Sequence, residues 1–239
     1  MEVRGERECK NCGTRWSYYE TGSPACPECG SLQSVGRGER RLHTDRPADL
    51  DLDPALEALA EKRYREAGKA AEETAREYVR RRGFVTAGEL RSLDETYLAA
   101  AEIRHVAQLL RLVTPTLIED GDIDLAYVTS LFETAATGGR PAAADVPDTM
   151  AGPRGLGIGD AVAEYHAALK HWVDATEAEV DAAGLLDRLD NYVRRVDALE
   201  GTVDPREAEK LVEAARALGE YVRSGSGRAA VDGVLETIE

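Results

Sequence analysis

Beyond residue 53 the apolar positions recur every three to four residues, the spacing of one buried face of an α-helix. Asp53-Pro54 supplies a cap followed by a first-turn proline, and a short helix is expected to about Lys62. Tyr64, Ala67, Ala71, Ala75, Tyr78 and Val79 mark a second helix that stops at Gly83. Leu93-Asp94 starts a third, with Asp94 as cap and Leu93 placed to staple onto Leu98. Ala99, Ile103, Val106, Leu110 and Val113 share one face, and Leu98, Ala101, Leu109 and Leu112 lie beside it. So wide an apolar arc predicts a central helix. Another spans about Asp122–Ala136. The Gly- and Pro-rich stretch Gly138–Gly159 predicts a long loop with one helical turn at most. Helices then follow at about Asp160–Thr176, Leu185–Glu200, Asp204–Arg223 and Arg228–Ile238. The Leu185, Leu189, Tyr192, Val196, Leu199 stripe faces Ala208, Leu211, Ala215, Leu218 and Val222 across a hairpin closed by the Asp204-Pro205 cap.

The first fifty residues follow a different rule. Trp16 and Tyr18 alternate with Ser17 and Tyr19, and Gly22-Ser23-Pro24 offers turn chemistry, so Thr14 to about Ala25 reads as a hairpin. Ser31–Leu52 reads as a third strand and then a polar linker punctuated by Gly36, Gly38 and Pro47. All four cysteines fall here, as Cys9-Lys-Asn-Cys12-Gly13 and Cys26-Pro-Glu-Cys29-Gly30, with thirteen residues between the pairs. Two thiolates separated by two residues can grip one ion from one tight turn. The glycine after each pair lets backbone amides approach the sulfurs, where a bulkier side chain would crowd them. Four sulfurs fill a tetrahedron and leave no open position, so Cys9, Cys12, Cys26 and Cys29 predict one structural Zn2+ rather than a catalytic metal. A rubredoxin-like iron site uses a longer, aromatic-lined gap. The expected fold class is mostly α, with a small β zinc ribbon at 1–35, a linker at 36–53 and an acidic helical bundle or helical-hairpin stack at 54–239.

Cys9-x2-Cys12-Gly13, Tyr18-Tyr19-Glu20-x-Gly22 and Cys26-x2-Cys29-Gly30 resemble the TFIIB-type zinc ribbon of archaeal and eukaryotic transcription initiation. That resemblance covers about 35 residues and implies docking on RNA polymerase by the ribbon and DNA binding by two cyclin-like repeats. No duplicated half aligns in 47–239. The whole chain is more similar to a haloarchaeal group that begins with such a ribbon and continues as an acidic helical region, a resemblance that brings no known activity. The Tyr64-x-x-Ala67-x-x-x-Ala71-x-x-x-Ala75 spacing resembles half of a tetratricopeptide repeat. It has no second copy at that period and fits plain helix-hairpin packing.

Charge sharpens the division. The formal net charge is −15. Residues 1–46 hold eight Lys/Arg and seven Asp/Glu, a balance of +1, and the remainder carries −16. Such a body repels phosphate backbones and fits a protein kept soluble in strong salt. No apolar run is long enough for a membrane span, and the charged start MEVRGERECK lacks the apolar stretch of a signal peptide, so a cytoplasmic protein is expected.

Other motifs read as structure. Glu102-Ile-Arg-His105 has di-iron spacing but one copy only. His166 and His171 are five apart and do not share a helix face. Asp49-x-Asp51-x-Asp53 and Asp120-x-Asp122-x-Asp124 lack the glycine and glutamate of a calcium loop. Gly155-x-Gly157-x-Gly159 lacks the strand and Lys-Ser/Thr of a phosphate loop, and reads as flexible. Arg80-Arg81-Arg82 suits a helix C-terminus. Neither a nucleophile–base pair nor a small-molecule substrate site is evident, so a non-catalytic adaptor for a protein partner is expected. The alternative is a nucleic-acid-binding protein working through the ribbon. In either case Arg15, Trp16, Tyr18 and Tyr19 are the candidate contact surface.

Overall fold

The computed structural model describes residues 1–112, 123–176, 178 and 180–238. Its N-terminal sheet has strands β1 (Glu2–Cys9), β2 (Arg15–Ser17) and β3 (Ser34–Leu42), antiparallel in the order β2-β1-β3. The expected Thr14–Ala25 hairpin is cut short. The Ser17 hydroxyl caps a four-residue helix, α1 (Tyr18–Thr21), which ends at Gly22 with φ +60°. A side-chain cap at Ser17 outcompetes the strand ladder there. The turn swings Tyr19 back over β1, where a Cβ on Gly5 would lie 2.0 Å from its ring. β3 runs on through Gly36 and Gly38, positions whose glycines read as linker, and takes up a register shift between Arg4 and Glu6.

The helical part comprises α2 (Asp53–Ala60), α3 (Tyr64–Arg81), α4 (Glu95–Leu112), α5 (Leu125–Ala136), α6 (Ala151–Thr176), α7 (Ala183–Ala198), α8 (Pro205–Ser224) and α9 (Arg228–Glu236). α4 is central as its pattern requires, packed between α3 and α6 with Leu98, Ile103, Val106 and Leu110 fully buried. Ala67, Ala71 and Ala75 bring α3 close to it. Asp94 and Asp204 are the caps their sequences promise. Val113, Asp120 and Asp122 lie outside the described residues, and α5 is capped by Asp124.

The Gly138–Gly159 expectation fails from Ala151 onward. After two short 3-10 turns, Ala143–Asp145 and Asp148–Met150, the chain enters α6 at Ala151, and the Gly155-x-Gly157-x-Gly159 run is buried helix. These glycines are places where another backbone touches. A Cβ on Gly155 would sit 2.1 Å from the Gly201 carbonyl oxygen, and one on Gly157 would sit 2.5 Å from the Glu102 Cα. Arg154, on the same turn, is 1% exposed. It donates to Glu102 Oε2 at 2.6 Å, Glu209 Oε1 at 2.8 Å and the Pro141 carbonyl at 3.0 Å, and Tyr127 donates to the other oxygen of Glu102. Glu102 and His105 therefore go separate ways, His105 meeting Asp160 at 2.9 Å.

A two-residue hairpin, β4 (Val85–Thr86) and β5 (Glu89–Leu90), joins the sheet to the helices. Its turn places Ala87 at φ +55° and Gly88 at φ +91°. The strained alanine is held from several sides. The Ala87 amide donates to His43 Nδ1 at 3.4 Å, the Gly88 amide to Leu42 O at 2.7 Å, and Trp172 Nε1 to Gly88 O at 2.8 Å. Asp45, also buried, accepts from the Gly83 amide, the Thr86 hydroxyl and Arg91, with Arg82 at 3.3 Å. His43 lies under the Tyr18 and Tyr19 rings, and its Nε2 has no partner among the described residues. The end of β3 is thus bonded to the helical part over Leu42–Asp45.

Two outcomes are expected. Gly157→Ala should destabilise the protein by about 1–3 kcal/mol through overpacking, although alanine in a free helix would gain up to about 1 kcal/mol. Urea unfolding that finds the variant equal to or more stable than the parent would refute the close contact. Burial pushes the His43 pKa below the usual histidine range, with Asp45 opposing and Arg46 adding to it. Below pH ~6.5 the unfolded chain takes up this proton first, so stability should fall until the lower folded pKa is passed. His43→Gln keeps an acceptor for Ala87 without the titration. It should lose less stability than the parent between pH 8 and 5; equal losses would remove His43 from the account.

Candidate metal centre

Each CxxC pair folds as the same small turn. The Gly13 amide donates to Cys9 O at 3.0 Å and the Gly30 amide to Cys26 O at 2.9 Å. Gly13 has φ +76° and Gly30 φ +69°, and an added Cβ would meet nothing within 4 Å at either. The glycine requirement is therefore backbone conformation rather than room beside the sulfurs, which corrects the expectation that a bulkier side chain would crowd them. The Lys10 amide donates to Gln33 O at 2.8 Å and ties one knuckle to the other.

The four Sγ atoms lie within 4.8 Å of one another. Cys9 and Cys29 are 3.7 Å apart, and Cys12 and Cys26 are 3.5 Å apart. A disulfide would need about 2.05 Å. A tetrahedron with metal–sulfur bonds of about 2.3 Å has edges of about 3.8 Å, so the donor set fits one tetrathiolate ion. Cys9 and Cys26 are buried, whereas Cys12 and Cys29 are exposed. The Asn11 amide donates to Cys9 Sγ at 3.3 Å and its side chain to Cys29 Sγ at 3.8 Å. Asn11 is a contributor that the Cys-x-x-Cys pattern leaves anonymous.

Electrostatics within the cluster suit a bound cation. The Thr14 hydroxyl, 3.2 Å from Cys12 Sγ, leads in pulling that thiol down to about 6. Cys9 is lowered as well, chiefly by the Cys12 amide. At Cys29 the Ser31 amide acts downward, but the neighbouring Cys12 and lost hydration push the thiol up to about 11. Neighbouring thiolates resist a last ionisation, and a bound metal ion supplies the compensating charge.

The candidate contact residues separate. Arg15 is exposed and donates to Glu8 at 2.9 Å, a carboxylate that also meets Arg37 at 2.8 Å. Trp16 is half-buried, its Nε1 donating to Ser23 O at 3.1 Å. Tyr19 packs on Gly5 and His43 and donates to Val3 O at 3.1 Å, while Tyr18 packs on His43 under the Arg7 guanidinium. The tyrosines serve the junction as much as the surface. His43 and Asp45 carry no motif, and only the fold gives them a role.

A family model described as "Family of unknown function (DUF7117)" matches residues 1–234, from β1 into α9. The chain belongs to DUF7117. No curated protein and no solved structure matches it. The DUF7117 match takes in both the cysteine cluster and the helices, so the family is defined over both. Among the described residues of this DUF7117 chain, the four cysteines form the one metal-capable group of this kind, and no helix is long and apolar enough to cross a membrane.

If the ion organises the knuckles, its removal should unfold them and spare the helices. About 35 residues bury too little surface to fold alone, and structural zinc contributes about 10–16 kcal/mol in such modules. Chelation should change the fluorescence of Trp16 while the helical circular dichroism stays nearly constant. A large loss of helical signal would show that the two parts unfold as one.

Proposed function

We propose that the ion is zinc and that the protein is a non-catalytic adaptor, its ribbon held out by the helical body for a protein partner. The observation that carries this is the closed four-sulfur set, which leaves no coordination position for water or substrate. The thirteen-residue spacing favours zinc over iron, and reduced thiols suit a cytoplasmic setting. Leu32, 73% exposed just after the second knuckle, offers an apolar anchor beside the metal centre. The Glu8, Arg15 and Arg37 cluster beside β2 is mixed in charge, and Trp16 has its indole N–H spent internally, which suits a protein surface better than base stacking.

A second reading is transcription-related nucleic-acid binding through the TFIIB-like ribbon. It draws on Arg4 lying directly opposite Arg40 in the sheet, with no ion pair to Arg4, Arg40 or Arg41 among the described residues. The −16 of the remaining chain weighs against it, because phosphates would meet repulsion beside the ribbon.

Capture from native cells in high salt should return a protein that survives nuclease treatment. Leu32→Asp should lower its recovery by about tenfold, the effect expected of an interface anchor. Sub-micromolar oligonucleotide binding that persists at molar salt and is lost in Arg15→Glu would overturn the adaptor in favour of the second reading. Metal analysis returning iron, or the visible absorption of a ferric tetrathiolate, would overturn zinc.

A further inference from the structure

Away from the cysteines, a cavity of about 530 Å³ opens where α3, α4 and α6 meet the chain leaving the ribbon at Thr44. Arg76 and Arg80 reach it from successive turns of α3, Arg82 from just past that helix, and Arg104 from α4. One carboxylate, Glu164, lines it with them, and His171 completes the rim. The lining itself thus presents four guanidiniums against one carboxylate, and the acids that pair with them, Glu72, Glu77, Asp45 and Asp160, stand outside it. Val79, Phe84 and Ala168 make the lining partly apolar, and the Tyr97 ring packs on Phe84 with centroids 4.7 Å apart.

Two details point to a ligand. The Tyr97 ring is buried, with 4% of the residue exposed, while its hydroxyl stays accessible and takes no hydrogen bond among the described residues. The charges that act most on that hydroxyl are Glu164 and Arg104, both on the cavity wall. A phenol that opens on a lined cavity with no protein partner is placed to take an acceptor or a donor from a bound molecule. The arginines, second, are only loosely committed. Arg76 and Arg80 pair with Glu72 and Glu77 of their own helix, and their side chains are about two-thirds exposed, a kind of pair that contributes little. Arg82 lies 3.3 Å from Asp45 and Arg104 lies 3.6 Å from Asp160, which leaves most of their N–H donors free.

We propose that this cavity binds a small organic phosphate, its phosphoryl oxygens held by the arginines and its apolar part set against Phe84 and Tyr97. A carboxylate has two oxygens and cannot use so many guanidinium donors, whereas a phosphate monoester presents three terminal oxygens and a double charge. A nucleic-acid strand is disfavoured because its next phosphates would run over acidic helices. The volume suits a ligand of mononucleotide size. The proposal is independent of the adaptor reading.

Calorimetric titration of the full metal-loaded chain tests it, in the lowest potassium chloride concentration that preserves the helical circular dichroism. AMP should bind at least about tenfold more tightly than adenosine or inorganic phosphate, since each lacks one half of the recognition. Arg80→Gln and Arg104→Gln, surface changes that leave the core intact, should each weaken AMP by about tenfold with melting temperature unchanged. AMP should raise the melting temperature of the parent and not of the double variant. No AMP binding, equal affinity for AMP and adenosine or for AMP and inorganic phosphate, or binding indifferent to both substitutions would overturn the proposal. Tighter binding of a twelve-nucleotide single strand than of AMP would overturn it in favour of a polymer.

Discussion

Arg154 is the constraint around which the helices are arranged. A guanidinium cannot give up its proton, so a side chain 1% exposed must be met by charge and by acceptors wherever it goes. Glu102 from α4, Glu209 from α8 and the Pro141 carbonyl meet it, and Tyr127 from α5 completes the Glu102 carboxylate. Arg140 then bridges Glu209 to Glu95, and Arg216 holds Glu95 from α8. Four helices and the loop before α6 are registered against one another by charges that balance locally. Removing one partner from such a set costs about 3–5 kcal/mol, because the other is left charged and dry. The close glycine contacts of α6 follow, since Arg154 reaches Glu102 only if Gly155 and Gly157 let their neighbours approach.

The cysteine cluster rests on a separate account. Its knuckles have almost no apolar interior, and what gathers them is four sulfurs around one point. At the other end of the same sheet, Leu42, His43 and Asp45 are buried against the β4–β5 hairpin and the end of α3. One strand therefore belongs to two environments. β3 starts beside the knuckles, where a metal ion would set the geometry, and ends where hydrogen bonds and aromatic packing do. A mixed-charge sheet is in this way carried by a strongly acidic body at a junction that itself has buried polar groups.

Much of this was legible in the chain. The Cys-x-x-Cys-Gly duplication announced a cluster able to hold one metal ion, because ligand number and spacing are properties of the local backbone. Helix existence was legible for the same reason: period, cap and stop lie within a few residues of one another, as at Asp94, Asp204 and Gly83. Even the centrality of α4 could be read, since an apolar arc wider than one face has to be covered from both sides.

What the tertiary structure alone decided are the cases in which a residue's meaning lies in a partner far along the chain. Gly155 and Gly157 look like loop residues until Gly201 and Glu102 arrive beside them, after which only a side chain without Cβ fits and helix becomes the lower state. Tyr18 and Tyr19 look like strand residues until His43 and Gly5 give their rings somewhere to pack. Asp45 looks like a linker acid until Gly83, Thr86 and Arg91 close on it. Sequence determines the local choices, whose energies are set by neighbours a turn away. The long-range ones depend on desolvation and close contact, which exist only once the distant segments have met.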